Sequence, residues 1–255
     1  MRTFGPPLAT MRRRAAAVAL AIAAASSPER ARAGFGAPLA STDSPAEDWP
    51  AQRYGRLDRD TCEAELESRG VPFVPVGEAR GVLAPVRLTG PLRGVSFHTG
   101  APASQRSSSP WEIVDCRLAL ALDDFALLLS THDVVDVLHY SIYRPPTPGR
   151  IRWPADKIAS RHAGGLAIDA ASFTKRDGSK LDVEHDFHGR IGAPPCGPGA
   201  GPVPATVEAM ELRQIVCEAA EAKLFNVALT PDYNWAHRNH FHLEVAAGVR
   251  WSVIR

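Results

Sequence analysis

The sequence predicts an α+β fold, because it combines two kinds of hydrophobic pattern. Residues 113–130 and 206–223 carry apolar side chains at spacings that favour helices, the first of them largely buried. Residues 134–143, 166–173 and 241–245 favour strands, with alternating faces in the first and the last. The chain has 255 residues, of which 45% are hydrophobic, and this is enough apolar material for one substantial core.

The amino terminus has the pattern of a secretory signal peptide over residues 1–33. Three arginines precede an unbroken small and apolar run from Ala15 to Ala25, and Ala31-Arg32-Ala33 supplies a cleavage site before Gly34. The alternative is a buried helix at the start of the fold. A membrane span needs about 20 apolar residues, so this run is too short to remain as an anchor. We therefore expect an exported protein, periplasmic or extracellular.

Residues 34–53 are rich in Ala, Ser, Pro, Asp and Gly, which predicts a flexible linker and places the domain at residues 54–255. Around Pro85 and Pro91, residues 82–97 favour edge strands or extended loops over a central strand. The other predicted elements are a helix at 59–69 ended by Gly70, a loop at 147–160, a hairpin turn at 175–179, a return strand at 180–186 and a loop at 189–204.

The four cysteines are far apart and include no C-x-x-C pair. In an exported protein this favours disulfides over a zinc–thiolate cluster. Of the three possible pairings we predict the sequence-local one, Cys62 with Cys116 and Cys196 with Cys217. The formal net charge of +1 excludes an overall basic footprint for nucleic acid, so no nucleic-acid partner is predicted.

Two segments carry residues suited to chemistry. In the last strand, period-two geometry places His240, His242 and Glu244 on one face, opposite an apolar face. A single strand histidine is more often a packed, hydrogen-bonded residue than a ligand. Two on one face, with His237 just upstream, favour a functional site.

The second segment contains His162 and Asp169. Alone, these could be an ordinary loop residue and the polar member of an alternating strand. Gly164 and Gly165 between them indicate a close backbone approach or an unusual turn beside His162. Two histidines and one carboxylate would leave an open fourth position on tetrahedral zinc, as catalytic sites do.

Together the segments match the motifs S-x-H-x-x-G-x-A-x-D and H-x-x-H-x-H, the first starting at Ser160 and the second at His237. This resembles the zinc peptidase superfamily of D-Ala-D-Ala carboxypeptidases, murein endopeptidases and hedgehog signalling domains. Over roughly residues 58–247 the chain is more closely similar to the bacterial extensin-like carboxy-terminal domain family. The resemblance implies a small antiparallel sheet that carries the metal site, with helices packed on one side.

The resemblance also implies residue roles. Zinc would be held by His162, Asp169 and His242. Arg144, in the Ser-Ile-Tyr-Arg-Pro segment, matches an arginine that contacts the substrate and polarises the scissile carbonyl; otherwise it is a surface turn residue.

The chain departs from many carboxypeptidases of the superfamily at one position, because Asn239 stands where they have a glutamate three residues before the last zinc histidine. His240 then becomes the leading general base, with His237 as its acid–base partner.

These observations lead to a first hypothesis, an exported zinc peptidase that acts on peptidoglycan stem peptides or cross-links as a monomer. A noncatalytic, zinc-stabilised binding module of the cell envelope is the second. A structural wall protein without metal is the third and weakest. We expect Trp235 to border the site. His98, His132 and His139 are expected to be core or surface residues. Four titratable residues either line the cleft or form a solvated loop: Glu184, His185, Asp186 and His188.

Overall fold

The computed structural model describes residues 49–146 and 157–255. The predicted signal peptide, most of the predicted linker and most of the loop predicted at 147–160 lie outside these ranges. Within them, none of the helices has the length and apolar character needed to cross a membrane.

The described residues combine six α-helices with ten β-strands, which confirms the α+β class. The helices are α1 (Pro50–Gly55), α2 (Arg59–Ser68), α3 (Ala103–Arg106), α4 (Cys116–Thr131), α5 (Val183–Asp186) and α6 (Val207–Glu221). The strands are β1 (Phe73–Pro75), β2 (Pro85–Leu88), β3 (Ser96–Thr99), β4 (Ile113–Asp115), β5 (Val134–His139), β6 (Ala167–Lys175), β7 (Lys180–Asp182), β8 (Val227–Leu229), β9 (Phe241–Glu244) and β10 (Val253–Ile254).

The strands form two sheets. A three-stranded antiparallel sheet has the order β1-β2-β4, and a seven-stranded sheet has the order β10-β8-β9-β6-β5-β3 with β7 also paired to β6. In the larger sheet β3 runs parallel to β5 and β10 runs parallel to β8. The sheet is therefore larger than predicted and mixed instead of antiparallel, because distant parts of the chain add both of its outer strands.

Helix α4 packs against the large sheet and forms the centre of the core. Phe125 of α4 makes edge-to-face contacts with Phe173 of β6 and with Phe225, at ring-centroid distances of 6.5 and 5.5 Å. The helix starts at Cys116, where the Asp115 side chain accepts a hydrogen bond from the Arg117 backbone. The three residues before it, predicted as helix, instead pair with β2 as β4.

Three further elements differ from the prediction. Helix α1 begins at Pro50, inside the predicted linker, and buries Ala51 and Tyr54; proline is favoured in the first helical turn. Strand β2 lies between two partners and is not an edge strand, although Pro85 occupies its first position. The predicted return strand stops at Asp182, whose side chain caps α5.

Strand β6 contains a β-bulge shortly after Asp169, the last residue of the S-x-H-x-x-G-x-A-x-D motif. Two consecutive residues of β5 pair with Ala170 and Ser172, which leaves Ala171 as the extra residue. By simple alternation Asp169 and Phe173 would point to the same face of the sheet. The extra residue changes this, so that Phe173 belongs to the core while Asp169 lies at the histidine cluster.

Both disulfides have the predicted pairing. Cys62 of α2 is joined to Cys116 of α4 with a Cα–Cα distance of 6.0 Å, and Cys196 is joined to Cys217 of α6 with a distance of 5.7 Å. The first disulfide ties the two helices together, and the second ties the loop before α6 to that helix.

Candidate metal centre

Strands β6 and β9 place Asp169 and His242 directly opposite each other in an antiparallel pair. The apolar residues of β9, Phe241 and Leu243, are fully buried in the core, as alternation predicted. On the other face, His242 and Glu244 are only 6% and 4% exposed, so these titratable groups are buried too. The register of two neighbouring strands thus sets the distance between a carboxylate and an imidazole.

His162 reaches the same point from a short 3₁₀ turn, Arg161–Gly164, which leads into β6. A Cβ on Gly164 would collide with the carbonyl of Ala159, and Gly165 has a φ of +64° with the backbone of Asp115 beside it. Only glycine fits both conditions. The close backbone approach predicted from the two glycines is therefore present, and it brings His162 to the sheet.

Three potential ligand atoms form a nearly equilateral triangle. His162 Nε2 lies 3.0 Å from Asp169 Oδ1 and 3.2 Å from His242 Nδ1, and the His242 Nδ1 to Asp169 Oδ1 distance is 3.1 Å. In a tetrahedral zinc site with bonds of about 2.0–2.1 Å, neighbouring ligand atoms are about 3.3 Å apart. The triangle has the size that such an ion needs.

The other nitrogen of each imidazole is held by a protein oxygen. His162 Nδ1 lies 2.8 Å from the carbonyl of Ile142, and His242 Nε2 lies 3.3 Å from Glu244 Oε2. When each ring donates its N–H to that oxygen, the nitrogen in the triangle carries a lone pair. Two lone pairs and a carboxylate oxygen then face one another, an arrangement that a bound cation would stabilise. The donor set therefore fits a divalent metal.

The charges of the cluster act on one another. Without a bound cation the nitrogens of the triangle can donate to Asp169 instead. Burial would raise the pKa of Asp169, but hydrogen bonds with His162 and His242 then hold it far below its usual range. Burial would lower the pKa of His242, but hydrogen bonds to Asp169 and Glu244 raise it. The protein thus keeps Asp169 as a carboxylate, the form that binds metal.

His240 and His237 lie beside the triangle. His240 Nε2 is 3.3 Å from Asp169 Oδ1, and His240 Nδ1 is 2.9 Å from the side-chain oxygen of Asn239. The ring of His237 is tilted against that of His240 with a centroid distance of 5.2 Å, and its Nδ1 lies 2.8 Å from Asn234 Oδ1. Burial lowers the pKa of both imidazoles, that of His240 to about 4.

Arg144 contacts the His–Asp–His triangle through Asp169 and is not a free surface residue. Its Nη2 donates to Asp169 Oδ2, and its Nε donates to Ser141 Oγ at 2.9 Å, while 55% of its side chain remains exposed. The sequence predicted no role for Ser141. It placed Glu244 on the same face of β9 as His240 and His242, also without a role. Glu244 lies two residues after His242 on the same strand, and this spacing is the signal from which its contact with the His242 ring could be predicted.

Comparison with protein families tests the resemblance to the extensin-like domain. The family model described as "Extensin-like protein C-terminus" matches residues 61–255. The chain belongs to this extensin-like family. No curated protein and no solved structure matches the chain.

The match covers all six residues predicted for the site of the extensin-like domain. The structure brings them to one place: His162, Asp169 and His242 in the triangle, with His237, His240 and Arg144 around it. Trp235, predicted to border this site, is 70% exposed in the 3₁₀ turn that contains His237, and the Arg238 guanidinium lies over its ring at 4.7 Å.

Three other histidines of the extensin-like domain, predicted to be core or surface residues, have carboxylate neighbours away from the triangle. His98 Nε2 is 2.8 Å from Asp136, and His132 Nε2 is 2.9 Å from Glu218. His139 is fully buried, 3.7 Å from Glu112. Of the four titratable residues after β7, Glu184, His185 and Asp186 belong to α5, where His185 is exposed and bonds back to the capping aspartate.

Proposed function

We propose that the extensin-like domain is a zinc-dependent peptidase that hydrolyses amide bonds in peptidoglycan peptides. One observation carries the proposal, the triangle formed by His162 Nε2, Asp169 Oδ1 and His242 Nδ1. Its size and donor chemistry suit zinc, and three protein ligands leave a position for water or substrate. The assignment of peptidoglycan as the substrate rests on the sequence resemblance to murein peptidases.

Zinc bound by these three residues would supply Lewis acidity, which activates water and stabilises negative charge on a carbonyl oxygen. The protein's own part is to hold the ligands in fixed orientations. His162 is oriented by the Ile142 carbonyl and His242 by the Glu244 carboxylate. These partners fix which nitrogen of each ring faces the centre.

His240 is the general base in this proposal. When its Nδ1–H is donated to Asn239, the neutral ring presents Nε2 as a proton acceptor beside Asp169. From there it can take a proton from the attacking water as the water oxygen bonds to the carbonyl carbon. The C–N bond then breaks, and the leaving amine takes a proton from the His240–His237 pair.

Arg144 is well placed to act on the substrate as well. Its Nη2 and Nε are engaged by Asp169 and Ser141, but half of the side chain faces solvent. The exposed part of the guanidinium can approach the carbonyl oxygen of a bound peptide and stabilise the charge that develops there.

The decisive experiment is digestion of purified peptidoglycan by the zinc-loaded chain, with and without a zinc chelator, followed by mass spectrometry of the released fragments. We expect new amine termini that disappear with the chelator and with Asp169→Asn. Asp60→Asn, which alters an exposed carboxylate in α2, is the matched control and should leave cleavage unchanged. Cleavage that persists in Asp169→Asn would overturn the proposed metal site.

A second function, a zinc-stabilised binding module of the cell envelope, is favoured by Asn239. This residue stands where many related carboxypeptidases have a glutamate, and its side chain is committed to His240. A chain that binds one zinc ion and retains intact muropeptides without cleaving them would support this alternative.

Export is part of both proposals. The two disulfides, and the lack of a membrane-crossing helix within residues 49–146 and 157–255, are compatible with an exported protein.

A further inference from the structure

We propose that the segment from Ser141 to Arg144 is a clamp that positions two of the three metal ligands, and that Ser141 and Arg144 are its positioning residues. The inference rests on the proposed zinc site. It concerns how the protein prepares that site before any substrate binds.

Backbone groups of the clamp form hydrogen bonds with both His162 and Asp169. The Ile142 carbonyl accepts the hydrogen bond from His162 Nδ1 at 2.8 Å, and the Arg144 backbone N–H donates to the His162 carbonyl at 2.9 Å. The Asp169 backbone N–H donates to the Ser141 carbonyl at 3.2 Å. His162 and Asp169 are seven residues apart in sequence, and this single segment fixes their relative position.

The side chains of the clamp act on one oxygen atom. Asp169 Oδ2 accepts hydrogen bonds from Arg144 Nη2 and, at 3.4 Å, from Ser141 Oγ. Arg144 Nε also donates to Ser141 Oγ at 2.9 Å, which holds the two clamp residues together. Because Oδ2 is occupied in this way, the carboxylate offers Oδ1 alone to the triangle. The clamp therefore selects binding through one oxygen and prevents rotation of the carboxylate.

The surroundings make this network effective. The side chain of Asp169 is 1% exposed and Ser141 is 5% exposed, so water competes little for these hydrogen bonds. Arg144 supplies a planar fork whose nitrogens reach two acceptors at fixed spacing, which a lysine cannot reproduce. Loss of a hydrogen-bonding partner behind a metal ligand typically weakens metal binding by about 10- to 100-fold.

A role limited to the substrate makes a different prediction from a clamp. If Arg144 acted only on a bound peptide, changing it would leave the affinity of the substrate-free protein for zinc unchanged. A clamp acts before substrate binds, so its loss weakens zinc binding itself.

The test is the dissociation constant for Zn²⁺ alone, measured on the intact, substrate-free chain by competition with a chromophoric chelator. The variants are Ser141→Ala, Arg144→Lys and the double variant. Arg238→Lys is the matched control, because Arg238 contacts Trp235 and lies near Glu184. Circular dichroism and thermal unfolding in excess chelator check that each variant is folded.

We expect each single variant to bind Zn²⁺ at least about tenfold more weakly. The double variant should lose less than the product of the two effects, because both residues act on the same Asp169 oxygen. The visible spectrum of the Co²⁺-substituted protein should change in Ser141→Ala and Arg144→Lys and stay unchanged in Arg238→Lys.

Two negative results have different meanings. Folded clamp variants that bind Zn²⁺ within twofold of the unmodified chain, with unchanged Co²⁺ spectra, would overturn the clamp and leave the zinc site standing. An unmodified chain that fails to bind Zn²⁺ would overturn the proposed function and the clamp together.

Discussion

Replacing Glu112 with glutamine should destabilise the domain at neutral pH, and acidification should reduce the difference. Glu112 Oε1 accepts hydrogen bonds from the backbone and hydroxyl of Thr99 at 2.9 and 2.6 Å, and its other oxygen lies 3.7 Å from the buried imidazole of His139. Burial would raise the pKa of Glu112, but His139 and the Thr99 hydrogen bonds lower it from 4.5 to about 2. The side chain is only 11% exposed, so screening by solvent is weak.

The lowered pKa gives the size and the sign of the effect. A difference of about 2.5 pKa units between unfolded and folded states corresponds to about 3 kcal/mol of folding stability. Because the folded pKa is the lower one, this contribution is complete above the unfolded value and is lost as the pH falls through the folded value. By the same linkage about half of it is gone near pH 3.

The assay is urea unfolding of the unmodified chain and of Glu112→Gln between pH 3 and pH 7, with disulfides intact and a chelator present. Glu67→Gln, at an exposed position of α2, is the control. The difference in free energy of unfolding should be about 3 kcal/mol at pH 7 and about half of that at pH 3. A Glu112→Gln difference that stays constant over this range would refute the reasoning.

Three further predictions concern stability and metal binding. Removal of Cys62–Cys116 should lower the free energy of unfolding by about 4 kcal/mol and removal of Cys196–Cys217 by about 3 kcal/mol, because the first closes the longer loop; urea unfolding of the Cys→Ala pairs tests the order. Glu244→Gln should weaken Zn²⁺ binding by about tenfold or more in a chelator competition, since the carboxylate orients His242; equal affinity would show that this orientation is unimportant. Zinc at about 100 times its dissociation constant should stabilise the fold by about 2.7 kcal/mol, seen as a higher unfolding midpoint in calorimetry that Asp169→Asn abolishes.

The parts of the site that follow from local spacing could be predicted from sequence. Alternation in β9 separates His242 from its core neighbours, and the structure has this arrangement. Gly164 and Gly165 predicted a close approach of the backbone, because glycine is the residue that leaves room for one. In the structure both positions exclude a Cβ. The disulfide pairing was also correct, although four cysteines allow three pairings.

The rest depended on contacts between distant segments. The bulge at Ala171 leaves no mark in the sequence, because it arises from how β6 pairs with β5. Ser141 looked like one more residue of an alternating strand, and only the folded chain brings it to Asp169. By contrast, Pro50 and Asp182 were signals already present in the sequence, a proline at a helix start and a helix cap, and the prediction overlooked them.

The direct pairing of Asp169 with His242 across β6 and β9 has a consequence for engineering. A shift of one residue would place Phe241 or Leu243 opposite Asp169 and would turn the buried apolar face of β9 outward. A single-residue insertion in β9 would therefore damage the hydrophobic core and the Asp169–His242 pair at the same time, so a variant of that kind loses both. Conversely, an antiparallel sheet of another protein with the same two-residue pairing offers a place to transplant two of the three candidate ligands.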